Sequence, residues 1–471
     1  MEIISVYLIL IIVLVYWCYK IIYNLYISPL RKIPGPLINQ IFPFLPRYYL
    51  FNGTFHLYVT GLHEIYGSAV RLNWDSISFC SDEAAKRINS TYTFPKSRKT
   101  NGFQVVGETI LSTRDKEFHR QRKKILAFSF SDKTISNVEY LVKQNVNILV
   151  NKIEEKALKG EYFNIGLLFN YFSFDVIGDV AYGKSFDMLK NGYHPVIGWI
   201  KNFFVIAVFV GPFPFLKHYK FESVTQLYKF SYEAVKNAKG CSDRVTILNT
   251  LINASDPDTG KKLSEKEIVE ESIIQLIAGS DTTSNSLTWT FYLLSKHPEV
   301  YDKLKEELIS TFPNKEAVNY DICRENVYLR AVIYESLRIR PATAGSLVRS
   351  VPNGGRIVDG YFLPENTTVS LSMNALHNTT NNWENPHLFD PERWIDEYGQ
   401  FKLNDNFYPF SVGPRGCLGR SLAWMELYLA TASLVRNFSF TLKDKNEVKS
   451  KLYIVSSPEK PINVFAFKHT G

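Results

Sequence analysis

The sequence has no CxxC pair, and its five cysteines (Cys18, Cys80, Cys241, Cys323, Cys417) are widely scattered. That pattern excludes a structural zinc site and a disulfide framework, and an odd count leaves at least one thiol free. Arginine-rich runs are missing too. Lys plus Arg total 54 against 46 for Asp plus Glu, a diffuse surplus of +8. Nucleic acid is therefore not an expected partner, whereas an anionic lipid surface or an acidic docking partner suits a mild basic bias. No internal repeat and no low-complexity linker interrupts the chain. Apolar residues, by contrast, are plentiful: 45% of the 471 residues are hydrophobic and 21% are charged. A chain of that make-up is neither disordered nor fibrous. At about 150 residues per domain it holds one large or three small domains.

The run Ile3–Tyr19 contains no charge. As a helix it covers roughly 25 Å, and the apolar stretch Ile21–Tyr23 extends it toward the thickness of a bilayer core. Tyr16, Trp17 and Tyr19 gather at one end, as interface aromatics do. Lys20, Arg31 and Lys32 follow on that side and only Glu2 precedes, so the body is expected to face the cytosol. A cleaved signal peptide is the competing reading, but there is no basic leader and no small-x-small cleavage site. Pro29 and Ile33-Pro34-Gly35-Pro36 then end the helix in a stiff elbow. This divides the chain into an anchor (1–28), a proline-rich hinge (29–36) and a body (37–471).

The body reads as one mainly helical unit with a small β component. Strand-like runs occur at Ala69–Trp74, Thr368–Met373 and Ile462–Phe467. Ser131 is placed to cap a helix running to about Ala157. Ser264-x-x-Glu267 forms a capping box for a long apolar helix reaching about Ser295, with His297-Pro298 ending it and starting the next. Further helices are expected over Asn326–Arg340 and Leu418–Asn437.

Chemistry concentrates in Phe410-Ser-Val-Gly413-Pro-Arg415-Gly-Cys417-Leu-Gly419. Glycines before and after the cysteine let backbone approach a flat ligand. Backbone N–H groups at a helix start stabilise a thiolate. Arg415 can meet an anionic propionate. Together these features describe an axial site for haem iron. A second signal interrupts the long helix at Ala278-Gly279-Ser280-Asp281-Thr282-Thr283. A polar patch in a buried helix costs free energy unless it is used. Gly279 is expected to clear room for a diatomic ligand. Thr282 is expected to bond back to the i−4 carbonyl, and Asp281 with Thr282 to offer an acid and a hydroxyl for proton delivery.

The cysteine segment resembles the haem signature of the cytochrome P450 family, F-x-x-G-x-R-x-C-x-G. The threonine patch resembles that family's A/G-G-x-D/E-T-T, about 135 residues upstream. Glu335-Ser-Leu-Arg338 with Pro391-Glu392-Arg393-Trp394 resembles its E-x-x-R and P-E-R-F pair, in which Arg393 completes a buried network with Glu335 and Arg338. Segments Ser28–Pro36 and Phe174–Phe186 are similar to fungal members. The resemblance implies a cytochrome P450 fold preceded by a transmembrane helix, with haem b as cofactor and Cys417 as its axial ligand. Phe410, Gly413, Gly419 and Arg415 would line that cofactor. It also implies that Thr282 and Asp281 are catalytic and that Arg349 binds a propionate. Lys116–Lys124 resembles the family's W/H-x-x-x-R helix in two registers: Phe118 with Arg122, which is favoured, or His119 with Lys123.

By the same resemblance, the pocket is built from Ser97–Ile110, Asn202–Leu216, Ile274–Thr282, Pro341–Leu347 and Val455–Ser457. The second of these is apolar and aromatic, which points to a lipophilic substrate. The implied function is a monooxygenase in the endoplasmic reticulum membrane, single-pass with a cytosolic catalytic domain. With no flavin domain after the late strand, its electrons would come from a separate NADPH-dependent flavoprotein reductase, with cytochrome b5 open as a second donor. Two alternatives are an oxygen-independent isomerase or dehydratase of lipid peroxides and a non-catalytic haem-binding protein.

Overall fold

The computed structural model describes residues 2–211, 213–238, 246–256 and 259–469. Cys241 lies outside them. The first helix, Glu2–Ile22, unwinds into a wide turn, Tyr23–Ile27, and stops at Ser28, whose extended backbone suits the residue before a proline. The span Ser5–Ile27 is long and apolar enough to cross a membrane, with mean hydropathy 2.2 and no buried residue in its most apolar stretch. Pro29–Lys32 makes a tight turn capped by the Ser28 hydroxyl. The elbow beyond it is pinned to the body: Arg71 N–H donates to the Pro34 carbonyl at 2.7 Å. A side chain at Gly35 would reach within 2.3 Å of the Arg71 carbonyl oxygen, so only glycine fits this crossing.

Helices make most of the body. The long helix Glu265–Lys296 starts at the expected capping box, with Ser264 and Glu267 bonded reciprocally. It packs on the apolar helix Ile165–Ile177, and together they form the centre of the largest core cluster. The expected helices near Asn326–Arg340 and Leu418–Asn437 form as Val327–Ile339 and Arg420–Asn437. One expectation fails. Ser131 caps only Asp132–Ser136, and a second helix, Glu139–Leu158, starts after Val138. Ile135 and Val138, on either side of the break, are both buried in the core.

The main sheet runs Ala69–Arg71, Ser76–Phe79, Thr368–Ser372, Ser346–Ser350 in spatial order, with one parallel pairing at its middle. The first strand is shorter than expected. An Asn73 turn reverses the chain, with the Asn73 side chain accepting the Asp75 N–H at 3.0 Å. The sheet's outer strand carries Arg349, and a bridge to Lys96 sets those two cations side by side. A second sheet, of Phe163–Asn164, Asn463–Lys468 and Phe438–Leu442, abuts the last helix.

Candidate active site

The cysteine loop is held by its own backbone. Cys417 N–H donates to the Phe410 carbonyl at 2.9 Å, and Gly416 N–H to the Gly413 carbonyl at 3.0 Å. Gly413 has φ +78°, and a Cβ there would lie 2.1 Å from the Asn89 carbonyl oxygen, so no other residue fits. Gly419 caps the last helix two residues after the cysteine. Burial pushes the Cys417 thiol up, while the Gly419 N–H and the Arg420 charge pull it down. The same side chain is nonetheless accessible. A group ringed by protein yet accessible lines an internal space. Cys80 and Cys323 are different: burial drives both up to about 12, which makes them inert filler. The Phe410 ring meets Trp424 edge-on at 5.1 Å, which fixes the loop on the last helix.

Five basic side chains converge on this region: Lys96, His119, Lys123, Arg349 and Arg415. Burial comes first in pushing His119 down to about 3, followed by the charges of Arg415, Lys96, Lys123 and Arg349. Burial and Arg415 lower Arg349 to about 10, and burial, Arg415 and Arg349 push Lys96 well down. Lys123 Nζ donates to the Pro414 carbonyl at 2.7 Å, Arg415 Nη1 to the Thr113 carbonyl at 3.2 Å, and the Tyr92 hydroxyl pairs with His119 Nδ1 at 2.9 Å. Among the described residues none of the four cations is ion-paired within 4.0 Å. One buried cation, Arg349, and three half-buried ones without counter-charges point to an anionic ligand.

The favoured register of the basic helix Lys116–Ala127 is thereby corrected. Arg122 faces the long helix instead, pairing with Glu267 at 2.7 Å and Glu271 at 3.2 Å, with its guanidinium over the Phe118 ring. One cation between two carboxylates splits them. Against its partial burial, Glu267 is drawn down to about 2 by the Ser264 N–H first and then by Arg122 and the Ser264 hydroxyl, while burial raises Glu271 to about 7. Glu271 also accepts the Ile110 N–H at 2.9 Å. His119 and Lys123, one turn apart, occupy the positions expected of Phe118 and Arg122. Lys96 and Tyr92 had no signal in the sequence; Lys123 appeared only in the alternative register.

The long helix is buried along its middle except for a strip at helical spacing: Gln275, Ala278, Gly279, Thr282 and Asn285. Ala278 at the centre is exposed, so the strip lines an internal space. The Thr282 hydroxyl donates to the Ala278 carbonyl at 2.7 Å, the expected back-bond, within an unbroken helix. Asp281 points the other way, accepting from Asn170 at 2.9 Å. Burial raises its carboxyl to about 6, against the Lys201 charge and the Asn170 bond. Gly279 lies in the strip, and a Cβ there would also lie 2.7 Å from Ile177 Cδ1, the end of a side chain on the neighbouring helix.

Glu335 forms the predicted network. Arg338 grips it with two bonds of 2.8 Å, and Arg393 adds a third at 3.0 Å. The Asp390 N–H and the Trp394 indole N–H, at 3.0 and 2.9 Å, complete the shell. Glu335 and Arg338 are fully buried. The tryptophan in place of phenylalanine is therefore a working donor, beyond an aromatic filler.

A family model described as Cytochrome P450 matches residues 33–465. The chain belongs to the cytochrome P450 family. It is 31% identical to "Cytochrome P450 monooxygenase efuB" of Hormonema carpetanum, over 90% of this chain and 89% of that one. It is 30% identical to the "Trichothecene C-15 hydroxylase" of Fusarium sporotrichioides, over 96% of both chains. A crystal structure of a cytochrome P450 shares the fold with TM-score 0.77 at 19% identity, covering 88% of this chain and 94% of that one. As a P450 monooxygenase it is an oxidoreductase whose family cofactor is a haem held through a cysteine thiolate. The residues fit that group: an accessible sulfur at a helix start, uncompensated cations beside it and a glycine that brings backbone close.

Proposed function

We propose that this P450 oxidises a lipophilic small molecule, inserting one oxygen atom of dioxygen and reducing the other to water with two electrons from NADPH. The observation that carries the reading is Cys417, accessible and internal, beside the unpaired cations Lys96, Lys123, Arg349 and Arg415. Haem b, when bound, supplies the oxygen-activating redox chemistry. Cys417 would hold its iron, with Phe410, Gly413 and Gly419 shaping the loop. Arg349, Arg415, Lys96, His119 and Lys123 would receive its two carboxylates. The Thr282 hydroxyl donates to Ala278 and so keeps its oxygen lone pairs turned to the internal strip. Asp281, nearly neutral at mildly acidic pH, holds a transferable proton one residue away.

The roof helix Val196–Val210 supports an apolar pocket and a lipophilic substrate. Phe203 lies near Phe103, while Phe209 stacks on Phe51 at 4.8 Å. Gly102 packs against the Ala207 carbonyl, which ties the segment before the basic helix to this roof. The name of the Fusarium relative supports hydroxylation as the reaction class. Residues 1–28 would anchor the chain in the endoplasmic reticulum membrane, 29–36 would form the hinge, and 37–471 would be the cytosolic catalytic domain. A separate NADPH-dependent flavoprotein reductase, with cytochrome b5 as a second donor, would supply electrons.

The first test is the optical spectrum of the reduced, carbon-monoxide-bound protein. A strongly red-shifted Soret band in the native chain, lost in Cys417→Ala, supports the reading. An imidazole-type band would overturn Cys417 as ligand. Turnover of lipid hydroperoxides without NADPH would overturn the monooxygenase assignment. In Thr282→Ala, NADPH use should continue while product per NADPH falls about tenfold and peroxide rises. Unchanged coupling removes the hydroxyl from proton delivery.

A further inference from the structure

The end of the apolar helix is locked onto the body. Arg71 donates Nη1 to the Asn24 carbonyl at 2.9 Å and Nη2 to the Asn24 side-chain oxygen at 2.7 Å. Trp17 stacks on Phe44 at 5.7 Å and meets Trp74 edge-on at 5.2 Å. Beside this joint is a cleft of about 570 Å³, within the range of about 300–1,000 Å³ typical of small-molecule sites. Three cations line it, and one of them, Lys99, is paired with Asp75. Lys20 lies over the Tyr16 ring at 5.6 Å, and Arg47 over the Phe44 ring at 4.9 Å. Neither has an ion pair among the described residues. Of the two acids of the cleft, only Asp75 is ion-paired among the described residues. Asp75 takes Lys99 at 2.9 Å and the Ser76 hydroxyl at 2.8 Å, and Glu365 accepts the Gly354 N–H at 3.3 Å. Lys20, Arg47 and Lys99 stand against Asp75 and Glu365, so the cleft keeps a net charge of +1 between aromatic walls.

We propose that this cleft binds the phosphate head group of one anionic phospholipid, with its acyl chains lying along the apolar helix. The proposal rests on the reading of that helix as a membrane anchor. Tyr16, Trp17 and Tyr23 set the depth, because such aromatics settle where hydrocarbon gives way to head groups. At that depth an ammonium and a guanidinium form charge-assisted hydrogen bonds to a phosphate. The apolar face from Val6 to Tyr16 is exposed and adjoins the cleft, giving the acyl chains a surface. A free inorganic phosphate would use Lys20 and Arg47 and leave the aromatic walls and that face unused. The bound lipid would join anchor to body at the Asn24–Arg71 joint and fix how the catalytic domain sits on the bilayer.

The test uses the full chain reconstituted in phosphatidylcholine nanodiscs carrying a minor share of phosphatidate. The phospholipid retained after detergent extraction is quantified by mass spectrometry. Phosphatidate should be enriched over its share. The Lys20→Gln/Arg47→Gln variant should lose about fivefold per cation removed, so roughly twenty-five-fold in all, and Lys20→Arg/Arg47→Lys should retain it. Both positions lie at the surface of the joint, and an unchanged carbon-monoxide spectrum in the variants confirms an intact body. Phosphatidate retained only at its bulk share, or released by excess inorganic phosphate, overturns the lipid site. Alkali extraction from vesicles is the separate check: a chain that washes off overturns the anchor reading itself, whereas a chain that stays without selecting phosphatidate overturns the site alone.

Discussion

Arg122 and Lys123 are adjacent in sequence and serve opposite sides of one helix. Arg122 ties the basic helix to the long helix through Glu267 and Glu271. Lys123 sits over the cysteine loop on the Pro414 carbonyl. Lys123→Gln should therefore weaken haem retention, by about tenfold for one charge-assisted contact, with little loss of fold stability. Arg122→Gln should do the reverse, destabilising by about 3 kcal/mol because Glu271 is left buried without its cation. Haem-transfer assays and urea melts separate the two, and equal haem loss in both variants would return Arg122 to the cofactor. The sequence could not decide this register, because Lys116–Lys124 offers cations on every helical face and only the partners across the helix distinguish them. Asp281 titrates in a useful range. Its folded value of about 6 means that the protonated fraction falls about tenfold per pH unit above that point. If Asp281 supplies the proton, product per NADPH should decline as pH rises from 6 to 8, and Asp281→Asn should be low and flat across the same range. A parallel decline in the variant would assign the titration to another group.

Elements with fixed local spacing were legible in the sequence: the capping box, the E-x-x-R helix, the glycine-framed cysteine and the threonine patch all carry their signal within a few residues. Features made by distant segments were not. Lys96 and Arg349 meet only through a bridge beside the main sheet, and the contact between Gly279 and Ile177 joins two separate helices. The Glu335 network shows both cases. Its members were readable, but the indole bond from Trp394 was not, since its value depends on where the ring lands. A graded pair of variants measures this. Trp394→Phe removes one donor from a buried carboxylate and should cost about 1–3 kcal/mol. Glu335→Gln leaves Arg338 buried without a counter-charge and should cost about 3–5 kcal/mol, enough to abolish haem incorporation in a chain of ordinary stability. Chemical denaturation of the haem-free variants against the haem-free native chain gives both numbers. Equal, small losses would mean that the network is hydrated in solution.

At the scale of the whole molecule, the fold assembles cations it cannot satisfy by itself. Lys96, Lys123, Arg349 and Arg415 come from four separate segments, and His119 is kept neutral among them. Their mutual repulsion is a cost of the folded state that an anionic ligand removes. The haem-free protein should accordingly respond to small anions where the haem-loaded protein does not. A phosphate or sulfate ion at about ten times its Kd would add about 1.4 kcal/mol to the haem-free form. For a chain of this size that is a rise in Tm of roughly 1–3 °C. Chloride at matched ionic strength separates binding from general screening, which acts weakly on buried charges. Lys123→Gln should reduce the phosphate response of the haem-free protein, and Arg122→Gln should leave it intact, because Arg122 already spends its charge on the long helix. An equal response in the haem-free and haem-loaded forms would mean that the anions act elsewhere on the surface, and the cluster would then be balanced by groups within the chain.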